Sequence, residues 1–151
     1  MLKLSKKTDY AIILLAHLGE VEVPVSAKEM ATYYKLPYPM VANILKQLVS
    51  SGLIYSIRGK QGGYILAMPA DEINLAEIIL ITDSPFNLVE CAHDEEICKV
   101  HQCCPTRRPL LALHQKIQQF VEETTLAAII RDVEPINLTL EGSSHETANL
   151  F

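Results

Sequence analysis

The residues of this chain best able to do chemistry are four cysteines that fall within fourteen positions. They are the only cysteines among 151 residues: Cys91, Cys98, Cys103 and Cys104. The segment around them is rich in charge and poor in aliphatic side chains, whereas an unreactive cysteine usually packs in an apolar core. Thiols clustered in this way indicate a metal or cluster site, or a redox switch.

The spacing of the cysteines leaves more than one metal site open. Six residues separate Cys91 from Cys98, and five separate Cys98 from Cys104. Because no pair has the Cys-x-x-Cys spacing, a zinc site lacks its usual pattern, although His93 and His101 could complete one. Thiolates at wider intervals suit an iron-sulfur cluster of two or four irons.

A third kind of site needs no metal, because the adjacent thiols of Cys103 and Cys104 could act as a switch.

The cellular compartment bears on the choice between metal or redox chemistry and structural disulfides. The N-terminus has no apolar signal core, and no stretch approaches the roughly 20 apolar residues of a membrane span. We therefore expect a cytoplasmic protein, in which clustered cysteines favour metal binding or redox chemistry over structural disulfides.

The net charge of −5 hides two halves of opposite sign. Residues 1–68 carry eight Lys or Arg and four Asp or Glu, a net of +4, whereas residues 69–151 carry five against fourteen, a net of −9. The basic half is the candidate for binding nucleic acid.

Helical periodicity and capping residues predict three short helices in the basic half. Thr8 is the candidate cap of the first helix, and Ser26 with Glu29 forms a capping box for the second. After a proline-rich turn, Pro39 suits the first position of the third helix, and Gly52 ends it.

After the third helix the period of the pattern changes from about 3.6 to 2. Residues 53–58 and 64–67 are predicted strands, joined by the glycine-rich turn at 59–63. Three helices and a hairpin predict a mainly α winged helix-turn-helix, whose third helix enters a major groove of double-stranded DNA. We assign residues 1–68 to this DNA-binding domain.

The expected DNA contacts lie on the polar face of the third helix and in the wing. Lys46 and Lys60 would neutralise phosphates. Asn43 can pair with adenine, and Arg58 can reach guanine or a narrow minor groove. The full set of expected contacts is Tyr38, Pro39, Ala42, Asn43, Lys46, Arg58, Lys60 and Gln61.

The acidic half contains a short helix capped by Asn74, a cysteine loop at about 85–104 and a long helix. Pro105 opens this long helix, and its periodicity persists to about Ile130, or roughly 38 Å at 1.5 Å per residue. Its apolar face exceeds what a small domain can cover, which predicts a homodimer with recognition helices about 34 Å apart. Residues 69–132 form this second part, and we expect the polar tail at 133–151 to be disordered.

Three segments together resemble the IscR and NsrR family of winged-helix iron-sulfur transcriptional regulators. Residues 2–11, LKLSKKTDYA, look like the opening of the family, and residues 58–64, RGKQGGY, look like its wing. In this chain, as in the family, a three-cysteine loop precedes a long dimer helix. The likeness covers roughly residues 1–132. The six-then-five spacing and the approach Leu88-Val89-Glu90-Cys91 are most similar to the subgroup that regulates iron-sulfur assembly genes of the SUF system.

The resemblance implies that Cys91, Cys98 and Cys104 hold a cluster. One branch of the family takes its fourth ligand from an acidic residue of the partner subunit's first helix, and Asp9 stands at that position. Another branch uses a histidine three residues after the last cysteine, where this chain has Arg107. Asp9 is therefore the first choice for the fourth ligand, followed by Cys103 and then His101, although Asp9 also suits the positive end of a helix dipole.

The resemblance further implies a regulator, expected to repress, that senses iron-sulfur or redox status. A zinc-stabilised or thiol-switched regulator and a protein-interaction module are the alternatives. An enzyme is not expected, because the five histidines lie on unrelated segments and no serine sits in a nucleophile elbow. No small-molecule substrate and no membrane partner are expected.

Overall fold

The computed structural model describes residues 3–92, 98–100 and 102–131. The predicted tail at 133–151, together with His93 and His101, lies outside the described residues. Within them, helices surround one small hairpin. In chain order the elements are α1 (Lys6–Glu20), α2 (Ala27–Tyr33), α3 (Tyr38–Ser50), β1 (Ile54–Ile57), β2 (Gly63–Leu66), α4 (Leu75–Thr82), a 3-10 turn (Glu90–Ala92), α5 (Arg107–Glu123) and α6 (Leu126–Ile130).

The first helix is capped by Ser5 and not by Thr8. The Ser5 Oγ accepts the Thr8 backbone N–H at 3.1 Å, so Thr8 lies inside the helix. The predicted cap was wrong because the Thr8 hydroxyl is buried and lies 2.9 Å from Thr82 Oγ1 on α4. A residue 74 positions away therefore decides the role of this side chain.

The capping box of α2 is confirmed. The Ser26 backbone N–H donates to Glu29 Oε2 at 2.8 Å, and the Glu29 N–H donates to Ser26 Oγ at 3.2 Å. These bonds satisfy two donors that the first turn of any helix leaves unpaired, which fixes where α2 begins.

A Schellman motif ends α2 and starts the turn to α3. The Leu36 N–H donates to Ala31 O at 2.9 Å, and the Lys35 N–H donates to Thr32 O at 3.3 Å. Lys35 sits at φ +53°, in the left-handed region that favours glycine. The turn between the two helices therefore holds Lys35 in a backbone conformation that is energetically unfavourable for a lysine.

The third helix begins one residue earlier than predicted, with Tyr38 first and Pro39 second. Both positions tolerate proline, because the N–H of the first turn has no partner within the helix. Four side chains of this helix form one buried stripe: Val41, Ile44, Leu45 and Leu48. After the helix, Gly52 takes φ +81° and turns the chain toward β1.

The two strands pair antiparallel, with Ile54 opposite Leu66 and Ile57 opposite Gly63. This confirms the predicted hairpin in slightly shorter form. The backbones of Val25 and Tyr64 also exchange two hydrogen bonds, of 3.1 and 2.8 Å. A Cβ on Gly63 would lie 2.6 Å from Val25 O, so only glycine lets the hairpin approach the start of α2 this closely.

The predicted 25-residue helix is two helices, because the chain is extended at Thr124 and Thr125. The Thr124 carbonyl accepts the Leu75 N–H at 2.8 Å, and the Leu126 N–H donates to Ile73 O at 2.7 Å. The Thr125 hydroxyl then caps α6 by accepting the Ala128 N–H. The periodic pattern was extended too far because it continues across this break.

One buried cluster joins residues from both halves of the chain. Helix α6 contributes Leu126, which is fully buried, and α4 contributes Ile78. The largest fully buried side chains are Leu14, Leu15, Met30, Ile44, Leu45, Leu48, Leu53, Ile54, Ile73, Ile78, Leu126 and Val41. The core thus holds α3 and the hairpin rigidly against α1 and α4. None of the described helices is both long and apolar enough to cross a membrane.

Candidate nucleic-acid interface and cysteine segment

The outward face of α3 carries the predicted contact residues of that helix. Tyr38 is 55% exposed, and Pro39, Asn43 and Lys46 are also exposed, while Ala42 is half-buried. At 100° per residue Pro39, Asn43 and Lys46 lie opposite the buried stripe of α3, while Tyr38 and Ala42 lie to one side of it. The fold therefore presents an amide and an ammonium on the exposed face of α3, with an exposed phenol to one side of them.

The turn between β1 and β2 carries the second group of predicted contacts. Arg58, Lys60 and Gln61 are all exposed there. Gly59 has φ +125°, and its carbonyl accepts the Gly62 N–H at 3.0 Å, which closes the turn. The hairpin thus carries two cations at its exposed tip.

A cavity of about 280 Å³ lies between the start of α2, the start of α3 and the hairpin. Its lining includes Ser26, Lys28, Tyr38 and Ser56. The sequence reasoning missed Lys28 and Ser56, because neither lies on the third helix or in the wing turn. The sequence did carry a signal for Lys28, since it is one of the eight basic residues of the first half.

The four cysteines differ in their exposure. Cys91 lies in the 3-10 turn and is half-buried, as are Cys98 and Cys104, whereas Cys103 is exposed. None of the four is in a disulfide bond.

The Cys104 thiol lies just before α5, in a setting that favours its thiolate. Its Sγ lies 3.4 Å from the Thr106 hydroxyl. Hydrogen bonds from the Thr106 side chain and backbone lower the pKa of the Cys104 thiol, with smaller contributions from the backbone and charge of Arg107. Because metals bind the thiolate, this setting suits a ligand. The neighbouring Cys103 Sγ is 3.6 Å from Val100 O.

Asp9 is exposed in the first turn of α1. Its neighbour Thr8 bonds Thr82 at the end of α4, where the segment leading to the cysteines begins. Hydrogen bonds from the Ser84 backbone and the Ser5 side chain lower the pKa of Asp83, with a further contribution from the Lys7 charge. The start of α1 and the start of the cysteine segment are therefore tied together, which sequence reasoning did not foresee.

The donor chemistry of the cysteine segment fits an iron-sulfur cluster, because it offers several accessible thiols and one with a lowered pKa. Within residues 3–92, 98–100 and 102–131, however, no group of three or more His, Cys, Asp or Glu side chains lies close enough to hold a metal ion.

Helix α5 presents an apolar stripe that the other described residues leave exposed. Leu113 is 46% exposed and Phe120 is 36% exposed, with Ile117 between them on the same side. These residues are four and three positions apart, so they share one face. Large apolar side chains aligned on an exposed face indicate an interaction surface.

Comparison with known proteins identifies the family of this chain. The profile of the Rrf2 family, described as iron-dependent transcriptional regulators, matches residues 4–132. The chain is 27% identical over 143 residues to the transcriptional regulator NsrR of Halalkalibacterium halodurans, an alignment that covers 93% of this chain and 98% of the relative.

Solved structures agree with this assignment. The structure of CymR, described as the global cysteine regulator of B. subtilis, matches 89% of this chain and all of that chain, with a TM-score of 0.73 and 28% identity. The structure of T. potens IscR covers 88% of this chain and 89% of that chain, with a TM-score of 0.68 and 27% identity. These matches confirm the winged-helix fold, the resemblance to the IscR and NsrR regulators and the prediction that the chain is not an enzyme. The chain therefore belongs to the Rrf2 family and is a DNA-binding transcriptional regulator.

Proposed function

We propose that this chain is a dimeric repressor that reports iron-sulfur or redox status through its cysteine segment and controls iron-sulfur assembly genes. The observation that carries its DNA-binding part is the exposed polar face of α3 beside the basic hairpin turn. The family, described as iron-dependent regulators, supports the sensing part.

Residues 1–68 would supply the DNA contacts in this proposal. Asn43 would read adenine in the major groove, and Lys46 and Lys60 would neutralise phosphates. Arg58 at the hairpin tip would reach guanine or a narrow minor groove. The remaining contacts would come from Tyr38, Pro39, Ala42 and Gln61, all on the same two elements.

Residues 69–132 would supply sensing and dimerisation. The apolar stripe of α5 would pair with a second copy, placing two α3 helices about 34 Å apart on a two-fold operator. A shared two-fold axis requires the same stripe on both subunits, which the Leu113 to Phe120 face provides.

Cys91, Cys98 and Cys104 would hold the cluster, with Asp9 of the second subunit as the fourth ligand and Cys103 as its alternative. When bound, the cluster would supply redox sensitivity and would join its protein ligands only while iron is available. The chain's own contribution is to favour a thiolate at Cys104 and to tie the cysteine segment to α1 through Thr82 and Thr8. Zinc on the same thiols is the alternative metal.

A second candidate is a thiol switch that needs no metal. Exposed Cys103 lies next to Cys104, and the similar structure of CymR is that of a global cysteine regulator. In this alternative the two thiols lose two protons and two electrons to a peroxide and form an S–S bond.

Anaerobic purification with iron, sulfide and zinc analysis separates these candidates. We expect a brown protein with near-equal iron and sulfide, and loss of both in single Ala variants of Cys91, Cys98 or Cys104. About one zinc per chain would favour the zinc alternative. A colourless metal-free protein whose DNA affinity responds to peroxide would favour the thiol switch.

The DNA-binding part is tested by selecting duplexes from a random library with the metal-loaded and metal-free proteins. We expect enrichment of a palindrome-like site whose affinity differs between the two forms by roughly 5 to 150-fold, the range typical of coupled sites. Equal affinity of the two forms would contradict sensing, and failure to enrich any duplex would favour a protein-interaction module.

A further inference from the structure

A cavity of about 460 Å³ lies between α4, the segment leading to the cysteines and α5. Its buried lining residues are Ile79 and His114, which form the floor, while Gln118 and Glu122 are exposed at the rim. A volume of this size falls within the range of about 300 to 1,000 Å³ that small-molecule sites occupy. The cavity is separate from α3 and the hairpin.

Contacts between α5 and the segment leading to the cysteines form the floor of the cavity. The Phe86 ring stacks on His114 with centroids 5.7 Å apart and planes 13° apart. The Leu88 backbone N–H donates to His114 Nδ1 at 3.3 Å. A backbone N–H can only donate, so His114 Nδ1 is the acceptor of this bond.

The charge of the lining selects the kind of ligand. Glu77 on α4 and Glu122 on α5 both line the cavity, and none of its lining residues in the described part of the chain is Lys or Arg. Gln118 Nε2 donates to Glu122 Oε1 at 3.1 Å, which holds this carboxylate at the rim. Leu80, Phe86 and Val121 supply apolar wall beside the two charges. A cation with an apolar body is complementary to this combination.

Two occupants from the protein itself fit less well. The C-terminal residues 132–151 carry four Asp or Glu and no Lys or Arg, so the two cavity carboxylates would repel them. A second copy paired along Leu113 and Ile117 would use a different side of α5. His114 and Gln118 each follow those residues by one position, which rotates them about 100° around the helix.

We propose that this cavity binds a small organic cation, an ammonium group attached to an apolar body. Glu77 and Glu122 bind the ammonium, and Leu80, Phe86 and Val121 bind the body. Because residues 85–87 and Ala92 form one wall, the ligand also stabilises the chain immediately before and after Cys91. The site goes beyond the proposed cluster or thiol sensing and does not depend on it.

The test uses the full chain and a series of probes that differ in charge. Phenethylamine and isoamylamine are the cations, 2-phenylethanol is the neutral match and 3-phenylpropionate is the anion. Titrations are followed by amide chemical shifts in two-dimensional NMR. We expect saturable shifts at Leu88, Ala92 and Gln118 with the amines, and at least fivefold weaker binding of the alcohol, since about 1 kcal/mol for one exposed charge pair corresponds to that factor.

Matched variants test the two carboxylates. Glu122→Gln and Glu77→Gln should each weaken amine binding about fivefold, for the same Coulombic reason. Glu123→Gln is the control, because Gln119 Nε2 donates to Glu123 Oε1 at 2.7 Å in the same geometry while Glu123 is not part of the cavity lining. Amine affinity in this control should stay within about twofold of the parent protein. Far-UV circular dichroism of each variant verifies that the helices are retained.

Three results would overturn the proposal: no saturable shift with either amine, equal binding of the amine and the alcohol, or unchanged affinity in a folded double Glu→Gln variant. Binding of the protein to the selected DNA duplex is measured in parallel, without amine, so that the two proposals can fail separately. A protein that binds the duplex but no amine refutes the cavity proposal alone. A protein that binds amine but no duplex supports the cavity proposal and refutes the proposed DNA contacts.

Discussion

Asn43 and Lys46 occupy one exposed helix face but should act on DNA in different ways. Asn43→Ala should relax the preference at one base pair and cost about 1–3 kcal/mol, because a bidentate contact to adenine is lost. Lys46→Ala should weaken binding to all sequences and reduce the slope of log affinity against log salt by about 0.9. Fluorescence anisotropy at several salt concentrations measures both effects.

Lys116→Ala on α5 is the matched control, since this lysine is also exposed but lies on another element. Its salt slope should equal that of the parent protein. An unchanged slope for Lys46→Ala would remove this residue from the proposed contacts.

The buried hydrogen bond between Thr8 and Thr82 is a second feature at the residue scale. Thr82→Val should destabilise the protein by about 0.5–1.5 kcal/mol, because the buried Thr8 hydroxyl loses one of its two partners and keeps only the Ser5 hydroxyl, at 3.0 Å. The double variant with Thr8→Val should lose less than the sum of the two single variants. Urea denaturation gives these energies. Exposed Thr32→Val should change stability by less than about 0.5 kcal/mol.

The same pair shows what a sequence leaves open at this scale. Ser5 and Thr8 are both good caps, and local preference cannot choose between two hydroxyls one turn apart. Burial against Thr82, which depends on the packing of α4 on α1, decides the matter. By contrast, the Ser26 and Glu29 capping box was predictable because both partners lie within one turn.

At the scale of elements, the end of α2 is a position where one substitution should stabilise the protein. Lys35 at φ +53° occupies the position of the Schellman motif that glycine fills best. Lys35→Gly should raise the free energy of unfolding by about 1 kcal/mol, because a left-handed conformation costs other residues that amount. Lys28→Gly in the first turn of the same helix should lower it by up to about 1 kcal/mol. Equal effects of the two variants in urea denaturation would contradict this account.

The break between α5 and α6 is a feature that hydrophobic periodicity could not predict. Apolar residues continue at helical spacing from Leu113 through Leu126 to Ile130, so the pattern alone predicts one helix. The break is stabilised by backbone bonds to residues 70, 73 and 75, which no local pattern contains. The hairpin was easier to predict, since its change of period and its glycines are local signals.

At the scale of the whole molecule, the opposite charges of the two halves predict which half meets DNA. This assignment stays a prediction, since the family match at residues 4–132 covers both halves. The sequence did not show that both halves share one core, in which α6 packs against α1. A Cβ on Gly19 of α1 would lie 2.6 Å from the Ile130 side chain of α6. The second half of the chain therefore packs directly on the first helix of residues 1–68.

The apolar stripe of α5 governs the proposed assembly of two such molecules. Leu113→Glu combined with Phe120→Glu should convert the dimer to a monomer, because two charges would have to be buried at the interface. Both side chains are exposed in the single chain, so its helical circular dichroism should be retained. Exposed Gln115→Glu lies on the opposite side of α5 and should leave the dimer intact.

Sedimentation and operator titration together decide this last prediction. A monomeric double variant should bind a full palindrome no better than a half-site, because the second recognition helix is no longer held at the spacing of one DNA turn, about 34 Å. A variant that remains dimeric would place the interface on another face of the molecule. A monomer that still prefers the full palindrome would contradict the two-fold arrangement, since nothing would then connect the two half-sites.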